Sequence, residues 1–374
     1  MIYFSIDNDH QTGLVLSLIH KLGIPKNGAI IISHKSPRNV MAASSGVLCR
    51  VVDIHPLCSG LGYKNYKTYW KSFVHQLTLR QLFQFNSEDA LVVTTEYELN
   101  NAFFAKQMRQ SGGGVYLFDE GIGFYFNNSP FHDNQISLRD KIFLSLYNLA
   151  FTVLGIPAYA KKGFEGRMYV RIKDVFIDRI YSRMRLPVNR PEPIYGYRNF
   201  LASEQSKKSK NKGAAIFFAN NLSCFGLKDQ ELLISGDAVR QMASKFDEVH
   251  LKIHPADWVE KNAIFDFYMK LVSEYANIHL IDNSMTGNEA IEHFRPLIVV
   301  GTIGAAMFDA LVFGCHPIFL FQLLPPIAEF GVCRYTLESM GYRYVRGLDD
   351  IGPDYQCGVD VNALLYEDEL IGLQ

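Results

Sequence analysis

Short apolar runs alternate with polar loops along this chain at the spacing of strands and helices. Ile2 to Ile6 reads as a first strand, and the polar loop Asp7-Asn8-Asp9-His10-Gln11 leads into a helix with apolar positions at Leu14, Leu18 and Ile19. Ala29 to Ile32 reads as a second strand, which completes the opening βαβ unit of a doubly wound domain. A helix over Tyr66 to Phe85, a strand over Ala90 to Val93 and a helix over Leu99 to Met108 follow. Then comes Gly112-Gly113-Gly114-Val115-Tyr116-Leu117-Phe118-Asp119-Glu120-Gly121, a β-favouring apolar run that opens on glycines and ends in two acids. In open α/β sheets ligands sit beyond the carboxyl ends of the strands, which is where Asp119 and Glu120 are expected. Gly121 and Gly123 let the backbone turn sharply and let a ligand come close.

Arg139 to Ile156 has Phe143, Leu146, Tyr147, Ala150 and Leu154 at helical spacing, with Ser145, Asn148 and Thr152 on a narrower polar face. From Arg139 to Lys212 there are 16 Lys and Arg against 6 Asp and Glu, a formal +10 in a chain of net charge -1. The lysine-rich run Ser203 to Lys212 is expected to be a solvated linker. Beyond it the alternation restarts. The expected elements are a strand over Ala214 to Phe218, a helix near Gln230 to Lys245, a strand over Val249 to Ile253 and one helix over Trp258 to Tyr275. A strand over Ile278 to Ile281, a short helix near Glu289 to His293, a strand over Leu297 to Val300, a helix through Met307 and Leu311 and a strand over His316 to Phe321 complete the pattern. The predicted fold class is α/β, two Rossmann-like doubly wound domains facing across a cleft. They are expected over residues 1–200 and 213–350, with a C-terminal tail over 351–374 that packs back on the first.

Composition narrows the function classes. With 48% apolar and 13% aromatic residues, the chain buries full-sized cores and is not disordered on a large scale. A near-neutral balance argues against a protein devoted to nucleic acid. The six cysteines (Cys49, Cys58, Cys224, Cys315, Cys333, Cys357) lack metal-ligand or redox spacing and are expected to be free thiols. Neither a signal peptide nor a membrane-spanning run is evident, so the expected location is the cytoplasm, with a peripheral place on a membrane surface kept open. A homo-oligomer is compatible with all of this.

Three constellations hold candidate chemistry. In Val249-His250-Leu251-Lys252-Ile253-His254-Pro255, side chains two apart share a strand face, so His250, Lys252 and His254 are expected on one side. Pro255 stops the strand after His254, whose imidazole donates a proton near neutral pH while Lys252 favours an anionic ligand. The alternative is a polar strand face with a capping histidine. His316-Pro317 precedes its strand and points to the wrong edge, whereas His55-Pro56 follows one. Gly301-Thr302-Ile303-Gly304 sits between strand and helix, as a phosphate cradle or as a tight packing turn. Asp7-Asn8-Asp9 is better read as a loop at the cleft edge than as a metal-binding acid pair.

Phe118-Asp119-Glu120-Gly121, then Lys252-Ile253-His254-Pro255, then a small-residue turn into a helix resemble the motifs of bacterial sialyltransferases of the capsular polysialyltransferase and lipooligosaccharide sialyltransferase type. The first loop, with Asn8 and Gln11, is similar to theirs, and the matching islands cover about a tenth of the chain. The resemblance implies a GT-B-like fold and an inverting, metal-independent transfer from CMP-sialic acid, without a cofactor, to a lipooligosaccharide or capsular glycan. It implies Glu120 as the general base with Asp119 beside it, and His254 as the group that protonates or hydrogen-bonds the departing phosphate. Lys252, Pro255, Gly301, Thr302, Ile303, Gly304 and Glu289 then fall on the donor side, and Asn8, Gln11 and Gly121 on the acceptor side. The third motif departs from the pattern, since Gly304, Ala305 and Ala306 stand where serines are expected. The basic region 139–212 with its apolar helix suits the inner membrane face or an anionic glycan. Competing readings are transfer from CMP-Kdo or CDP-glycerol, and a non-catalytic glycan-binding subunit of a capsule assembly complex.

Overall fold

The computed structural model describes residues 1–6, 11–12, 15–16, 18–19, 23–25, 28–33, 50–53, 83–94, 99–118, 142, 145–146, 149, 153, 159–164, 167–172, 177–182, 194–196, 209–222, 226–326 and 328–360. Asn8, Asp119, Glu120, Gly121 and His55 lie outside them.

The first sheet has the order β3-β2-β1-β4-β5-β8-β9. Its strands are β1 (Ile2–Ile6), β2 (Ala29–Ser33), β3 (Arg50–Asp53), β4 (Ala90–Val93), β5 (Gly114–Phe118), β8 (Arg179–Ser182) and β9 (Ile194–Gly196), all paired in parallel. A parallel sheet needs apolar cover on both faces, and the sequence supplies it at a period of two. Phe4, Ile6, Val92, Tyr116 and Phe118 belong to one apolar cluster, and Tyr3, Leu91, Val93, Val115 and Leu117 to another. Helix α1 (Leu99–Gln110) leads into β5 through Gly112 at φ +85 and Gly113, where a Cβ would collide with Met108 Sδ. The triple glycine is therefore a turn. β8, β9 and the antiparallel hairpin of β6 (Tyr159–Phe164) and β7 (Arg167–Ile172) were not expected from sequence. The helix expected to reach Phe85 does not, since Phe83 to Asn86 are irregular.

The second sheet has the order β12-β11-β10-β13-β14. These are β10 (Asn211–Phe218), β11 (Glu248–Lys252), β12 (Ile278–Leu280), β13 (Pro296–Gly301) and β14 (His316–Phe319), again parallel throughout. Packed around them are α2 (Lys228–Lys245), α3 (Pro255–Glu260), α4 (Ala263–Glu274), α5 (Gly287–Phe294), α6 (Ala305–Val312) and α7 (Ala328–Ser339). Two expectations are corrected. β10 begins at Asn211, so the end of the lysine-rich run is strand, and Lys210 bonds the Phe313 carbonyl instead of standing in solvent. The single helix over 258–275 is two helices. Lys261 adopts a left-handed conformation (φ 48), and the Asn262 side chain caps α4 by accepting from the N–H groups of Ile264 and Phe265.

Residues 351–360 lie against this second unit. Cys357 O accepts from Arg343 N, Tyr355 Oη donates to the Arg343 carbonyl, and Cys357 Sγ lies 3.5 Å from His316 Nδ1. No helix among the described residues is long and apolar enough to cross a membrane.

Candidate active site

In the second sheet β10 leads outward to β11 and β12, and the chain then returns to the other side of β10 to lay down β13 and β14. The order reverses between β10 and β13, the position where doubly wound sheets bind ligands. Its rim is made by the segments after β10 (Ala219 to Leu222), after β11 (Ile253, His254) and after β13 (Thr302 to Gly304). They are tied edge to edge. Ala219 N donates to the Lys252 carbonyl at 2.9 Å, Asn220 Nδ2 to the Ile303 carbonyl, and Asn221 Nδ2 to Asp257 Oδ1 at 2.7 Å.

Gly301 is glycine for a packing reason, since a Cβ there would meet the Phe218 carbonyl oxygen at 2.9 Å. Gly304 differs. A Cβ on it has only Asn220 Oδ1 near, at 3.9 Å, and as the N-cap of α6 it offers no side chain to the first N–H groups of that helix. The starts of α5 and α6 meet here, because a Cβ on Gly287 would lie 2.8 Å from Ala306 Cβ. Two positive helix ends therefore converge beside β10.

His254 lies two residues beyond the end of β11 and caps α3, with Pro255 at the first helical position. Its Nδ1 accepts from Ala256 N at 3.3 Å, which leaves Nε2 to hold the proton of the neutral ring. Half-burial lowers its pKa, with Lys252 adding to the effect and Asp257 opposing it. Donation from a neutral imidazole at Nε2 is thus available at neutral pH.

Lys252 is 8% exposed, and its ammonium makes no hydrogen bond with any described residue. Two acids act on it electrostatically, but each is occupied by its own turn. Asp282 accepts from Ser284 N at 2.7 Å and Ser284 Oγ at 2.5 Å, and Glu289 accepts from Thr286 N at 2.6 Å in the capping box of α5. Burial lowers the Lys252 pKa. A buried cation held close to its neighbours yet unpaired is a receptor for an anion. Glu289 serves as a helix cap here, and Thr302 is buried with its side chain close to Glu231. His250, on the same strand face as Lys252, is stacked on Phe294 at 3.7 Å between ring centroids.

On the first sheet, Gln11 is buried, and Thr94 Oγ1 donates to the Ser5 carbonyl at 3.4 Å across the corresponding reversal between β1 and β4. β5 ends at Phe118, one residue before Asp119. Sequence reasoning missed Asn220, Asn221, Asp257 and Glu231. The asparagines follow a strand end and carried a weak signal, whereas the two acids looked like ordinary helix first turns.

Among solved structures the chain is similar to the glycosyltransferase of kitacinnamycin, with a TM-score of 0.53 and 12% identity over 97% of this chain and 90% of that one. It is also similar to the spinosyn rhamnosyltransferase SpnG complexed with thymidine diphosphate, with a TM-score of 0.49 and 12% identity over 97% and 89%. The likeness to the first is one of fold, and with the two parallel-sheet α/β units it gives the chain a GT-B fold. A search of curated proteins gives no significant match. The model of the alpha-2,8-polysialyltransferase family matches residues 4–320, and the chain belongs to that family. Its chemistry is a sialyltransferase-type glycosyl transfer, between a nucleotide-sugar donor and a glycan acceptor.

Proposed function

We propose that the chain moves sialic acid from CMP-sialic acid to a hydroxyl of a lipooligosaccharide or capsular glycan, with inversion and without a metal or cofactor. The observation that carries the donor half is the buried Lys252 ammonium, unpaired among the described residues, beside a histidine whose Nε2–H is likewise without a described partner, next to the start of α6, which has no side-chain cap. A phosphodiester fits these three donors. In this reading Glu120, with Asp119 as neighbour, takes the proton from the acceptor hydroxyl as its oxygen bonds to the anomeric carbon. The bond from that carbon to the phosphate oxygen breaks, and CMP leaves with His254 donating to its phosphate. Gly301, Ile303, Gly304 and Pro255 shape the donor side, and Asn8, Gln11 and Gly121 the acceptor side.

The test is CMP release from CMP-sialic acid in EDTA by the wild type, Glu120→Gln and His254→Ala. Release that survives EDTA and falls at least about 100-fold in both variants supports the reading. Release from CMP-Kdo or CDP-glycerol in its place moves the assignment to those donors, and donor binding without turnover moves it to a glycan-binding subunit.

A second observation bears on where the acceptor is met. Ile142, Leu146, Leu149 and Val153 are helical, lie at spacings of four, three and four, and are all more than half exposed. Such a stripe inside a +10 region matches the surface of an anionic membrane at its inner, cytoplasmic face. Co-sedimentation with anionic but not neutral vesicles, lost in Leu146→Ser/Leu149→Ser, supports this. Unchanged sedimentation, or a shift from dimer to monomer in that variant, rejects it in favour of other contacts.

A further inference from the structure

Beneath the rim of the second sheet lies a group of buried polar side chains that the proposed chemistry does not use. Glu231, in the first turn of α2, is 1% exposed. One of its oxygens, Oε2, accepts from Leu222 N at 2.9 Å, and the Thr302 side chain is close enough to stabilise its charge. Asp257, on α3, is fully buried. Its Oδ1 accepts from Asn221 Nδ2 and from Asn262 Nδ2, both at 2.7 Å, and its Oδ2 takes no hydrogen bond from any described residue. Tyr268 of α4 is fully buried near both acids and beside Ser235 of α2.

The connections of these two acids reach every segment of the rim. Glu231 holds the segment after β10 and lies against the turn after β13, and Asp257 holds the segment after β10 and belongs to the helix that His254 caps. We infer that Glu231 is a positioning residue: buried near Asp257, it keeps the three rim segments in register while its own carboxyl holds a proton. The inference rests on reading this rim as the donor site. Asp257 accepts two amide donors, whereas Glu231 accepts one backbone N–H with the Thr302 side chain close by. Burial raises the Glu231 pKa to about 7, and the Asp257 charge adds to that. Tyr268 is held neutral by burial and by the same two acids, so it adds no charge beside them. Loss of the proton puts a buried negative charge on Glu231 at the seam between the segments, and the seam loosens.

Two measurements test this. Trp258 lies one residue from Asp257, and the other tryptophan is Trp70, so in a Trp70→Phe background the emission of Trp258 reports on α3. The expected result without any ligand is a transition near pH 7 that Glu231→Gln abolishes and His254→Gln keeps. A transition unchanged by Glu231→Gln, or none in the parent, overturns the inference. Calorimetry with CMP at pH 6 and pH 8.5 follows, with Glu231→Gln measured in parallel to correct for titration of CMP itself. Relative to Glu231→Gln, the parent is expected to lose about 5-fold or more in affinity at the higher pH, and folded Glu231→Ala to bind weakly at both. Glu231→Ala binding like the parent at both values also overturns it. If the parent binds no CMP at either pH, the donor reading fails, and the tryptophan titration alone decides the positioning role.

Discussion

Replacing Lys252 by methionine is expected to make the protein more stable and less able to bind its donor. The lysine stem lies in a nearly closed site, and the ammonium at its end makes no hydrogen bond with any described residue. Asp282 and Glu289 offset part of the desolvation cost through space, but their oxygens are committed to Ser284 and Thr286. Methionine has nearly the same length and volume, so the packing persists and the desolvation cost disappears. Exchanging buried ionic groups for apolar ones of similar shape typically gains about 1–4 kcal/mol, and the partial offset by two acids argues for about 1–3 here.

The sign of the pH dependence follows from the lowered pKa. Between that value and the ordinary 10.5, the unfolded chain binds more protons at this lysine than the folded one does, so wild-type stability rises with pH. The advantage of Lys252→Met is therefore full at neutral pH and shrinks toward pH 10. Urea unfolding in the Trp70→Phe background, followed at Trp258, measures it. CMP affinity should fall by about 10- to 100-fold, the worth of one charge-assisted hydrogen bond of about 1.5–3 kcal/mol. A variant that is destabilised by 1 kcal/mol or more, or that binds CMP normally, refutes the reasoning.

Glu231 makes the opposite prediction with pH. Its folded pKa of about 7 against an unfolded 4.5 means that the folded state binds the extra proton in that window. Stability is then lost as pH rises from 4.5 through 7, by up to about 3 kcal/mol, and Glu231→Gln should abolish the slope in urea titrations. Gly304→Ser, placed where a Cβ has open space, should keep or raise the melting temperature and tighten CMP binding a few-fold in calorimetry. Asn262→Ala removes the cap of α4 and one of the two amides on Asp257, so it should cost about 1–2 kcal/mol in urea unfolding.

The repeating βα pattern of the second unit was legible because a parallel sheet covered on both faces shows up as runs such as Ala214-Ala215-Ile216-Phe217-Phe218 and Leu297-Ile298-Val299-Val300. The place of His254 at a strand end was legible through Pro255, and that of Lys252 through its alternation with Leu251 and Ile253. The break at Lys261 was hidden by apolar positions at helical spacing on both sides of it, although Asn262 is a residue type that caps helices. β8 and β9 lie among arginines and prolines, where short strands carry little periodicity. Glu231 was illegible for a different reason. Lys228-Asp229-Gln230-Glu231 looks like any solvated first turn, and only the approach of Leu222 and Asp257 from other segments buries its carboxyl. Asp119 and Glu120 rest on sequence and family resemblance, being outside the described residues.

Gly301, which ends β13, and Gly304, in the turn that follows, differ in how freely they can change. Gly301 is pressed against the carbonyl of Phe218 and admits no other side chain without parting two strands. Gly304 has room. A lineage carrying this sheet can therefore exchange the residue that opens α6, where the proposed donor phosphate would lie, by a single substitution, while the strand framework behind it stays frozen. Donor affinity can drift here without the fold being put at risk.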